Sequence, residues 1–549
     1  MQRRAYNPLV ANTRASTELD RLRQLLQERD RTVEAQQLEI ERLKIQLARL
    51  RRWKFGRSSE QMDLAITQIE LTLEALQAIT PDPAPPAVPA PTAAAPSAPR
   101  RHRPVRRALP AHLLRETLVH QASEVVAGCG CASCGGTLRK LGEDVAEVLE
   151  FVPGFFKVIR HVREKHTCRR CSRVVQPPAP SRPIERGLAG PALLAHIVNS
   201  KYGHHLPLYR QSEIYARAGM SIDRSTLAQW VAGSCRLLTP LVSSLERYVL
   251  SGEKLHADDT PMPVLDPGRG RTKRGHLWSY VRDDRASGGR DPPAVWFAYS
   301  PDRRGAHPQR HLRDFKGLLQ TDAYAGFDAI AEREPQKRPE NAAVQRVLCL
   351  GHARRRFHDL HVAVGSPIAL EALERIGKLY QIEREIKGRQ PEERRRERVE
   401  RAMPRLKSLR EWLTDTLMKV PKGSELASAI RYTVKHAHWS ALTYYCKDGR
   451  AEIDNLTVER QIRPVALGRG NYLFAGSDAG GERAAAAYSL IGTSRLNGVD
   501  PESYLRHVLE RIAEHPINRV EDLLPWNVPL ARTISVTRGS SSVCFEPAS

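Results

Sequence analysis

A proline-rich tract between Thr80 and Pro99 most constrains how this chain can fold. The tract is almost entirely Pro, Ala and Thr and contains eight prolines. Proline lacks an amide N–H and clashes with the preceding helical turn, and the tract has too few bulky apolar side chains to build a core. We therefore interpret residues 80–103 as a semi-rigid linker. The chain has 549 residues, which is more than one hydrophobic core supports, so we expect several domains.

A heptad repeat precedes the linker. Ten positions from Leu19 to Leu50 alternate spacings of three and four residues, and eight of them are apolar. This pattern predicts a coiled coil within residues 15–79 and indicates that the protein forms a homo-oligomer. The alternative is a single amphipathic helix that packs against its own chain.

Positive charge is concentrated directly after the linker. The chain has 86 Lys and Arg residues against 62 Asp and Glu, a formal net charge of +24, which favours a nucleic-acid partner. A basic extended run suited to DNA phosphates contains Arg100, Arg101, Arg103, Arg106 and Arg107. A solvated run of charges is the alternative for this segment.

Two pairs of cysteines predict a zinc site. Each pair is separated by two residues, and the four cysteines are Cys131, Cys134, Cys168 and Cys171. Two such pairs supply four thiolates to one tetrahedral ion, so residues 104–180 are predicted to form a zinc ribbon with one structural Zn²⁺. The metal would supply folding energy to a segment with little apolar core. The alternative is a small hairpin domain with four reduced cysteines.

A helical pattern covers residues 181–250. Two short apolar-periodic segments flank a turn at Gly219, which is typical of a helix-turn-helix. Asp223 is a candidate cap for the second helix, whose N-terminal end would offer Arg224, Ser225 and Thr226 to DNA. Helical hairpins with a glycine turn also occur in ordinary cores, so this role stays open.

The following segments predict a sheet interrupted by helices. Five short apolar runs in residues 251–362 indicate strands, and residues 363–448 return to a helical period that is rich in Arg and Lys. Residues 449–515 hold further helices, and residues 516–549 form a C-terminal tail. The fold class is therefore multidomain α/β.

Three acids are candidate metal ligands. Asp258 and Asp322 are predicted to end the first and fourth strands, and Glu459 lies one turn into a helix that Asp454 or Asn455 could cap. Carboxylates converging in this way can bind two Mg²⁺ or Mn²⁺ ions for phosphoryl transfer. Spacing alone leaves other acids possible, and strand alternation points the neighbouring Asp259 to the opposite face.

The blocks RRWKFGRSSEQ, KYGHHLPLYRQ, LHADDTPMPVL and DNLTVERQIRPVALGRGNYLF follow one another in a recognisable order. Together with the cysteine pairs, they resemble the large transposase of the insertion-sequence-66 family from the heptads to about residue 527. The resemblance implies a DDE transposase with an RNase H-like catalytic core and an all-helical insertion before the last acid. By motif position it makes Asp258, Asp322 and Glu459 the catalytic acids.

The sequence departs from the family pattern in three places. Leu350 and Gly351 stand where Trp and Ala are usual, Asp259 replaces a Glu, and the paired Asn before the last acid reads Asn455-Leu456. Cys349 and His352 are retained, and His352 is a candidate to contact the scissile phosphate, although an ordinary histidine at a strand end is the alternative. Candidate phosphate contacts after the last acid are Arg460, Arg463 and Arg469.

These features predict a transposase that cleaves transposon ends and joins the freed 3′-hydroxyl to target DNA. Its partners would be terminal repeats, target DNA and possible small accessory proteins. The chain contains no apolar run of bilayer length and begins without a signal-peptide pattern, so we expect a cytoplasmic, nucleoid-associated bacterial protein with no membrane partner. The alternative function is a catalytically inactive, transposase-derived DNA-binding regulator, against which the retained acids argue.

Overall fold

The computed structural model describes residues 113–120, 136–152, 154–185, 187–331 and 344–530, with Cys134 and a few positions before it. The chain divides into two compact units. The larger unit contains residues 100–347, 388–390 and 450–549, and the smaller unit contains residues 1–99, 348–387 and 391–449. The predicted coiled coil, the linker and the basic run after it lie almost wholly outside the described residues.

The larger unit begins with a sheet that leads to the predicted zinc cysteines. Its strands are β1 (Leu114–His120), β2 (Leu138–Val152), β3 (Phe155–Cys168) and β4 (Val174–Val175). β2 and β3 form a long antiparallel hairpin in which Leu138 pairs with Cys168 and Val152 pairs with Phe155. The open end of the hairpin, at Leu138 and Cys168, therefore lies at the cysteines. Leu149 and Val158, near the turn at the other end, are buried.

Four helices follow and pack into the core of the same unit. They are α1 (Pro191–Tyr202), α2 (Leu208–Arg217), α3 (Arg224–Leu237) and α4 (Thr239–Leu250). Glu150 of β2 accepts a hydrogen bond from the backbone N–H of Leu193 (2.7 Å), which satisfies one of the free amides at the start of α1. Gly219 has a φ of 82° in the turn between α2 and α3, a conformation that glycine adopts without strain.

The five predicted strands are confirmed and form one mixed sheet. They are β5 (Lys254–Leu265), β6 (Thr272–Arg282), β7 (Ala294–Ser300), β8 (Gly317–Thr321) and β9 (Val344–Leu348). The order across the sheet is β7-β6-β5-β8-β9. β6 is antiparallel to both β5 and β7, whereas β8 is parallel to β5. The short helices α5 (Ala306–His311) and α6 (Asp328–Ala331) lie in the connections around β8.

Three further helices complete the larger unit: α13 (Leu456–Tyr472), α14 (Asp478–Leu496) and α15 (Pro501–Arg511). α14 covers the free edge of β7 with hydroxyl groups. Ser489 Oγ accepts from the Phe297 N–H (2.8 Å), and Thr493 Oγ1 accepts from the Val295 N–H (3.1 Å). Gly492 permits this approach, since a Cβ there would lie 2.6 Å from Val295 Cγ1. The edge strand is thereby protected from pairing with another chain.

The described part of the smaller unit consists mainly of helices: α7 (Leu350–Val364), α8 (Pro367–Glu385), α9 (Pro391–Glu397), α10 (Met403–Lys419), α11 (Glu425–Val434) and α12 (His436–Thr443). The predicted apolar period is confirmed, because Ile376, Leu409 and Leu413 are buried. Arg398 is fully buried and donates to both carboxylate oxygens of Glu383 (2.8 and 2.6 Å). In the ranges that the structure describes, no helix has the length and apolar character needed to cross a bilayer.

Candidate active site and zinc site

The strand register brings two of the predicted acids side by side. In the parallel pair of β5 and β8, His256 is opposite Gln320. Two residues further along each strand are Asp258 and Asp322, the latter one position past the end of β8. Since residues two apart share a face of a sheet, both carboxylates lie on the face that carries His256 and Gln320.

The expectation that Asp258 ends its strand is wrong. β5 continues to Leu265, and this extension pairs with β6 as far as Thr272. Pro261 and Pro263 made a strand end plausible from the sequence, but the carbonyl of Pro263 points away from β6 and accepts from the Ala475 N–H (2.8 Å). Prolines are tolerated on that edge because no strand needs their missing N–H groups there. Asp258 therefore lies inside β5, beside the point at which the neighbouring strand β8 ends.

The predicted acids interact with one another electrostatically. The pKa of Asp258 is raised well above its ordinary value, first by burial and then by the negative charges of Asp322, Asp259 and Glu459. The hydrogen bond from the Asp259 N–H to Asp258 Oδ1 (2.7 Å) offsets only part of this effect. The site therefore concentrates negative charge, and its hard oxygen donors match the preference of Mg²⁺ or Mn²⁺.

Asn455 fixes the start of the helix that carries Glu459. It is fully buried at the N-cap of α13, and Glu459 lies in the first turn of that helix. Its side-chain amide donates to the carbonyl of Ala257 (3.0 Å), and its Oδ1 accepts from His256 Nδ1 (2.9 Å). Asn455 thus ties the start of α13 to β5 directly beside Asp258, instead of capping the helix with its side chain.

The segment before α13 is held by a second set of polar contacts. Gln320 donates to the carbonyls of Glu452 (2.9 Å) and Asp454 (3.1 Å) and accepts from the Glu452 N–H (2.7 Å). Lys254, buried on β5, donates to Glu452 Oε1 (3.1 Å). Burial alone would raise the pKa of Glu452, but Lys254 and His256 hold it far below the usual range. β5 and β8 therefore bind this segment on the face that carries the acids.

Arg346 of β9 fixes the loop that begins at Asp322. Its guanidinium donates to Thr321 Oγ1 (2.9 Å) and to the carbonyls of Asp322 (2.7 Å) and Tyr324 (3.0 Å). The Tyr324 N–H donates in turn to Asp322 Oδ1 (3.0 Å). Arg346 therefore holds the backbone at Asp322, and the Tyr324 N–H orients its carboxylate.

Asp259 points away from the acid cluster, as strand alternation predicts. It accepts hydrogen bonds from His276 Nδ1 (2.6 Å) and from the guanidinium of Arg303 (2.9 Å). Burial would raise its pKa, but these two partners lower it. Arg303 also stacks over the Tyr324 ring at 4.1 Å. Asp259 is therefore an ion-paired structural acid on the other face of β5.

Three of the four predicted zinc ligands meet at the end of the β2–β3 hairpin. The sulfur atoms of Cys134, Cys168 and Cys171 lie within 4.8 Å of one another, and Cys131 lies outside the described residues. Burial would raise the pKa of Cys168, but hydrogen bonds from the Cys171 and Arg170 amides and with the Cys134 and Cys171 thiols together lower it to about 6. A thiol with this pKa ionises readily, as a zinc ligand must.

Gly136 lies where the turns that carry the two cysteine pairs, here called knuckles, approach each other too closely for a larger residue. A Cβ at this position would lie 2.7 Å from Arg170 Cβ and 3.0 Å from Cys168 Sγ. The second knuckle turns back on itself through the Ser172 N–H, which donates to the Cys168 carbonyl (2.9 Å). The arrangement fits one tetrahedral ion held by thiolates.

The remaining predicted residues lie on other elements or outside the described residues. Cys349 and His352 stand at the start of α7 in the smaller unit, directly after β9. The start of α3 presents exposed Arg224 and Ser225 and a less exposed Thr226, and Asp223 is its N-cap position without a side-chain capping bond. On α13, Arg460 and Arg463 are exposed, whereas Arg469 donates to the carbonyl of Pro261. The five arginines of the basic run, Arg100, Arg101, Arg103, Arg106 and Arg107, are not among the described residues.

Family models match most of the chain in the order of its domains. Residues 186–483 match the model described as Transposase IS66 family, residues 489–526 the IS66 C-terminal element, residues 129–172 the zinc-finger binding domain of transposase IS66, and residues 42–118 Transposase C of IS166 homeodomain. The first of these covers more than half of the chain. The chain belongs to the IS66 transposase family. The resemblance seen in the sequence is confirmed.

Relatives of similar length support the same membership. The uncharacterized protein y4hP of Sinorhizobium fredii is 40% identical over 508 residues, which cover 90% of each chain. The uncharacterized protein y4jD of the same organism is 40% identical over 76% of this chain and 81% of its own length. Membership of the IS66 family supports a transposase role with DNA as the partner, and its zinc-finger match supports a structural zinc ion.

The sequence alone did not identify the residues that position the acids. Their contacts join residues about 200 positions apart in the sequence: Lys254 with Glu452, and His256 with Asn455. One signal was available, since Lys254, His256 and Asp258 alternate with the apolar Leu255 and Ala257 in the first half of the strand. Polar residues at every second position of a buried strand indicate a polar partner on that face.

Proposed function

We propose that this protein is a DNA transposase whose larger unit cleaves phosphodiester bonds at transposon ends and transfers the 3′-hydroxyl to target DNA. The observation that carries the proposal is the strand register that aligns Asp258 with Asp322, combined with the anchoring of the Glu459 helix by Asn455. The strand order β7-β6-β5-β8-β9, with β6 antiparallel and β8 parallel to the central strand, supports an RNase H-like core.

Asp258, Asp322 and Glu459 would hold two Mg²⁺ or Mn²⁺ ions, which supply activation of the nucleophile and stabilisation of the leaving oxygen when bound. The rest of the chemistry belongs to the protein. β5 and β8 hold the two aspartates at fixed separation, Arg346 orients Asp322, and Asn455 holds Glu459 against β5. Positioning of this kind is what phosphoryl transfer chiefly requires from a protein.

Other parts of the chain would bind and organise the DNA. The zinc domain and the exposed start of α3, with Arg224, Ser225 and Thr226, would contact the terminal repeats. Exposed Arg460 and Arg463 lie one and two helical turns from the N-cap of α13 and would contact phosphates near the acids. His352 and Cys349 stay auxiliary candidates, and the heptad segment would pair protomers on DNA.

A joining assay tests the proposal. Purified full-length protein is incubated with Mg²⁺, a supercoiled target plasmid and a labelled duplex that carries the element's end, with and without the neighbouring accessory proteins. We expect nicked ends and covalently joined plasmid products. Cleavage without joining would make the protein a nuclease, and specific binding without cleavage under every condition would favour the inactive regulator.

Substitution Asn455→Ala tests the positioning of Glu459. It removes the hydrogen bonds to His256 and to the Ala257 carbonyl, so we expect cleavage to fall by about 10- to 100-fold because the helix start moves. If the variant loses activity only because a fraction of the protein is unfolded, the Mn²⁺ concentration for half-maximal cleavage stays unchanged. If Glu459 is displaced from the metal site, that concentration rises. Asn471→Ala, on the exposed surface of the same helix, is the matched control and should cleave normally.

A further inference from the structure

The KYGHHLPLYRQ block and the GRGNYLF end of the DNLTVERQIRPVALGRGNYLF block meet in the larger unit. Lys201, in the last turn of α1, belongs to the KYGHHLPLYRQ block, and Tyr472 ends α13 in the GRGNYLF block. The Lys201 ammonium lies 5.2 Å from the centre of the Tyr202 ring and 5.3 Å from that of Tyr472. Tyr472 in turn shares a hydrogen bond with the hydroxyl of Tyr488 on α14 (2.7 Å). The two blocks thus build an aromatic pocket around a cation.

The positive charge in this pocket has no acidic partner in the described chain. Lys201 is partly buried and makes no hydrogen bond or ion pair with a described residue. The charged group that acts on it most strongly is another cation, Arg483 of α14, which also has no ion pair with a described residue. Burial and then Arg483 lower the pKa of the Lys201 ammonium. Two neighbouring cations without a counter-charge are unfavourable unless an anion joins them.

The adjoining loop shows two further signs of an incomplete site. His205 Nδ1 is buried without a hydrogen-bond partner, and the residue has a φ of 59°. A Cβ placed on Gly468 would lie 2.9 Å from both His205 Nδ1 and the Tyr472 ring, so these groups border one space. Leu473, next to Tyr472, also has a φ of 59°. Unfavourable backbone conformations of this kind persist mainly at functional sites.

We propose that Lys201 and Arg483 bind a phosphate of the DNA backbone, with Tyr202 and Tyr472 forming the walls of the pocket. This site rests on the proposed function, because it presumes DNA as the substrate. Tyr472 follows Glu459 by 13 positions on one helix, a rise of about 20 Å, or about six base pairs of duplex. The pocket therefore lies within the length of a bound duplex from the acids.

The salt dependence of DNA binding tests this site. Full-length wild type, Lys201→Gln, Arg483→Gln and Lys201→Arg are titrated with a fluorescent duplex of about 30 base pairs at several KCl concentrations. We expect Lys201→Gln and Arg483→Gln each to bind about 3- to 10-fold more weakly and to reduce the slope of log affinity against log salt by about 1. Lys201→Arg keeps the charge and should keep the wild-type slope.

The matched control is Lys316→Gln, which removes one charge from an exposed lysine just before β8, at the end of the strand remote from Asp322. If Lys201→Gln or Arg483→Gln retains the wild-type slope, the phosphate site is wrong. A structural role for Lys201 would lower the melting temperature and leave the slope unchanged. Should Lys201→Gln fail to fold, Arg483→Gln decides the result. Absence of salt-dependent binding in the wild type would instead overturn both the proposed function and this site.

Discussion

Substitution Asp258→Asn is expected to reduce Mg²⁺-dependent cleavage of a transposon-end duplex by at least about 1000-fold while DNA binding stays intact. The change keeps the shape of the side chain and removes the charge that would hold the metal. Asp322→Asn should have an effect of the same size, because its carboxylate lies level with Asp258 on the neighbouring strand. Single-turnover cleavage with excess protein measures the chemical step without interference from product release.

The same variant should be more stable than the wild type in the absence of divalent metal. The pKa of Asp258 is raised first by burial of its carboxylate and then by repulsion from Asp322, Asp259 and Glu459, and asparagine removes both costs. Lost cleavage with an unchanged or higher melting temperature therefore separates a missing ligand from a misfolded protein. Asp314→Asn, on the exposed turn before β8, is the control and should leave cleavage unchanged. Normal cleavage by Asp258→Asn would remove this residue from the active site.

Loss of one zinc ligand should have the second large effect. We expect Cys168→Ser to abolish stoichiometric zinc, measured as about one ion per chain in the wild type, because three thiolates cannot close a tetrahedral structural site. Apparent zinc-binding energies of small zinc domains are on the order of 10 kcal/mol, so residues around the knuckles should unfold locally. Hydrogen exchange in β2 and β3 should rise, and binding of the element's end should weaken.

Cys544→Ser provides the matched control, since it makes the same substitution in the C-terminal tail. It should retain zinc, exchange protection and DNA binding. Removing zinc from the wild type with a chelator should reproduce the Cys168→Ser exchange pattern, and added zinc should restore it. A wild-type protein that contains no zinc and keeps its hairpin protected would contradict the assignment.

The sheet was predictable from the sequence because its strands are short, apolar and separated by turn residues. The end of β5 was not, since Pro261 and Pro263 imitate a strand terminus. Only the neighbouring strands determine whether a missing N–H matters. β8 stops at Thr321, so no strand lies opposite the missing N–H groups of the two prolines, and they are accommodated.

The candidate site was predictable only in part. Residue spacing did not select Asp258, Asp322 and Glu459 among 62 acids, and the family resemblance made the choice. The supporting contacts depend on tertiary structure, because His256 and Asn455 come together only when α13 packs on β5. The departure at Leu456 leaves the anchoring of α13 intact, since Asn455 makes both hydrogen bonds to β5 and Leu456 is exposed.

The most direct test of the central claim is the joining assay performed with Glu459→Gln beside the wild type. Glu459 is the acid brought to the strands from a distant part of the chain, so its role depends on the whole arrangement of β5, β8 and α13. We predict that the wild type joins the labelled 3′ end to the target with Mg²⁺, and that Glu459→Gln binds the same duplex but neither cuts nor joins it. Normal joining by Glu459→Gln would contradict the three-carboxylate site.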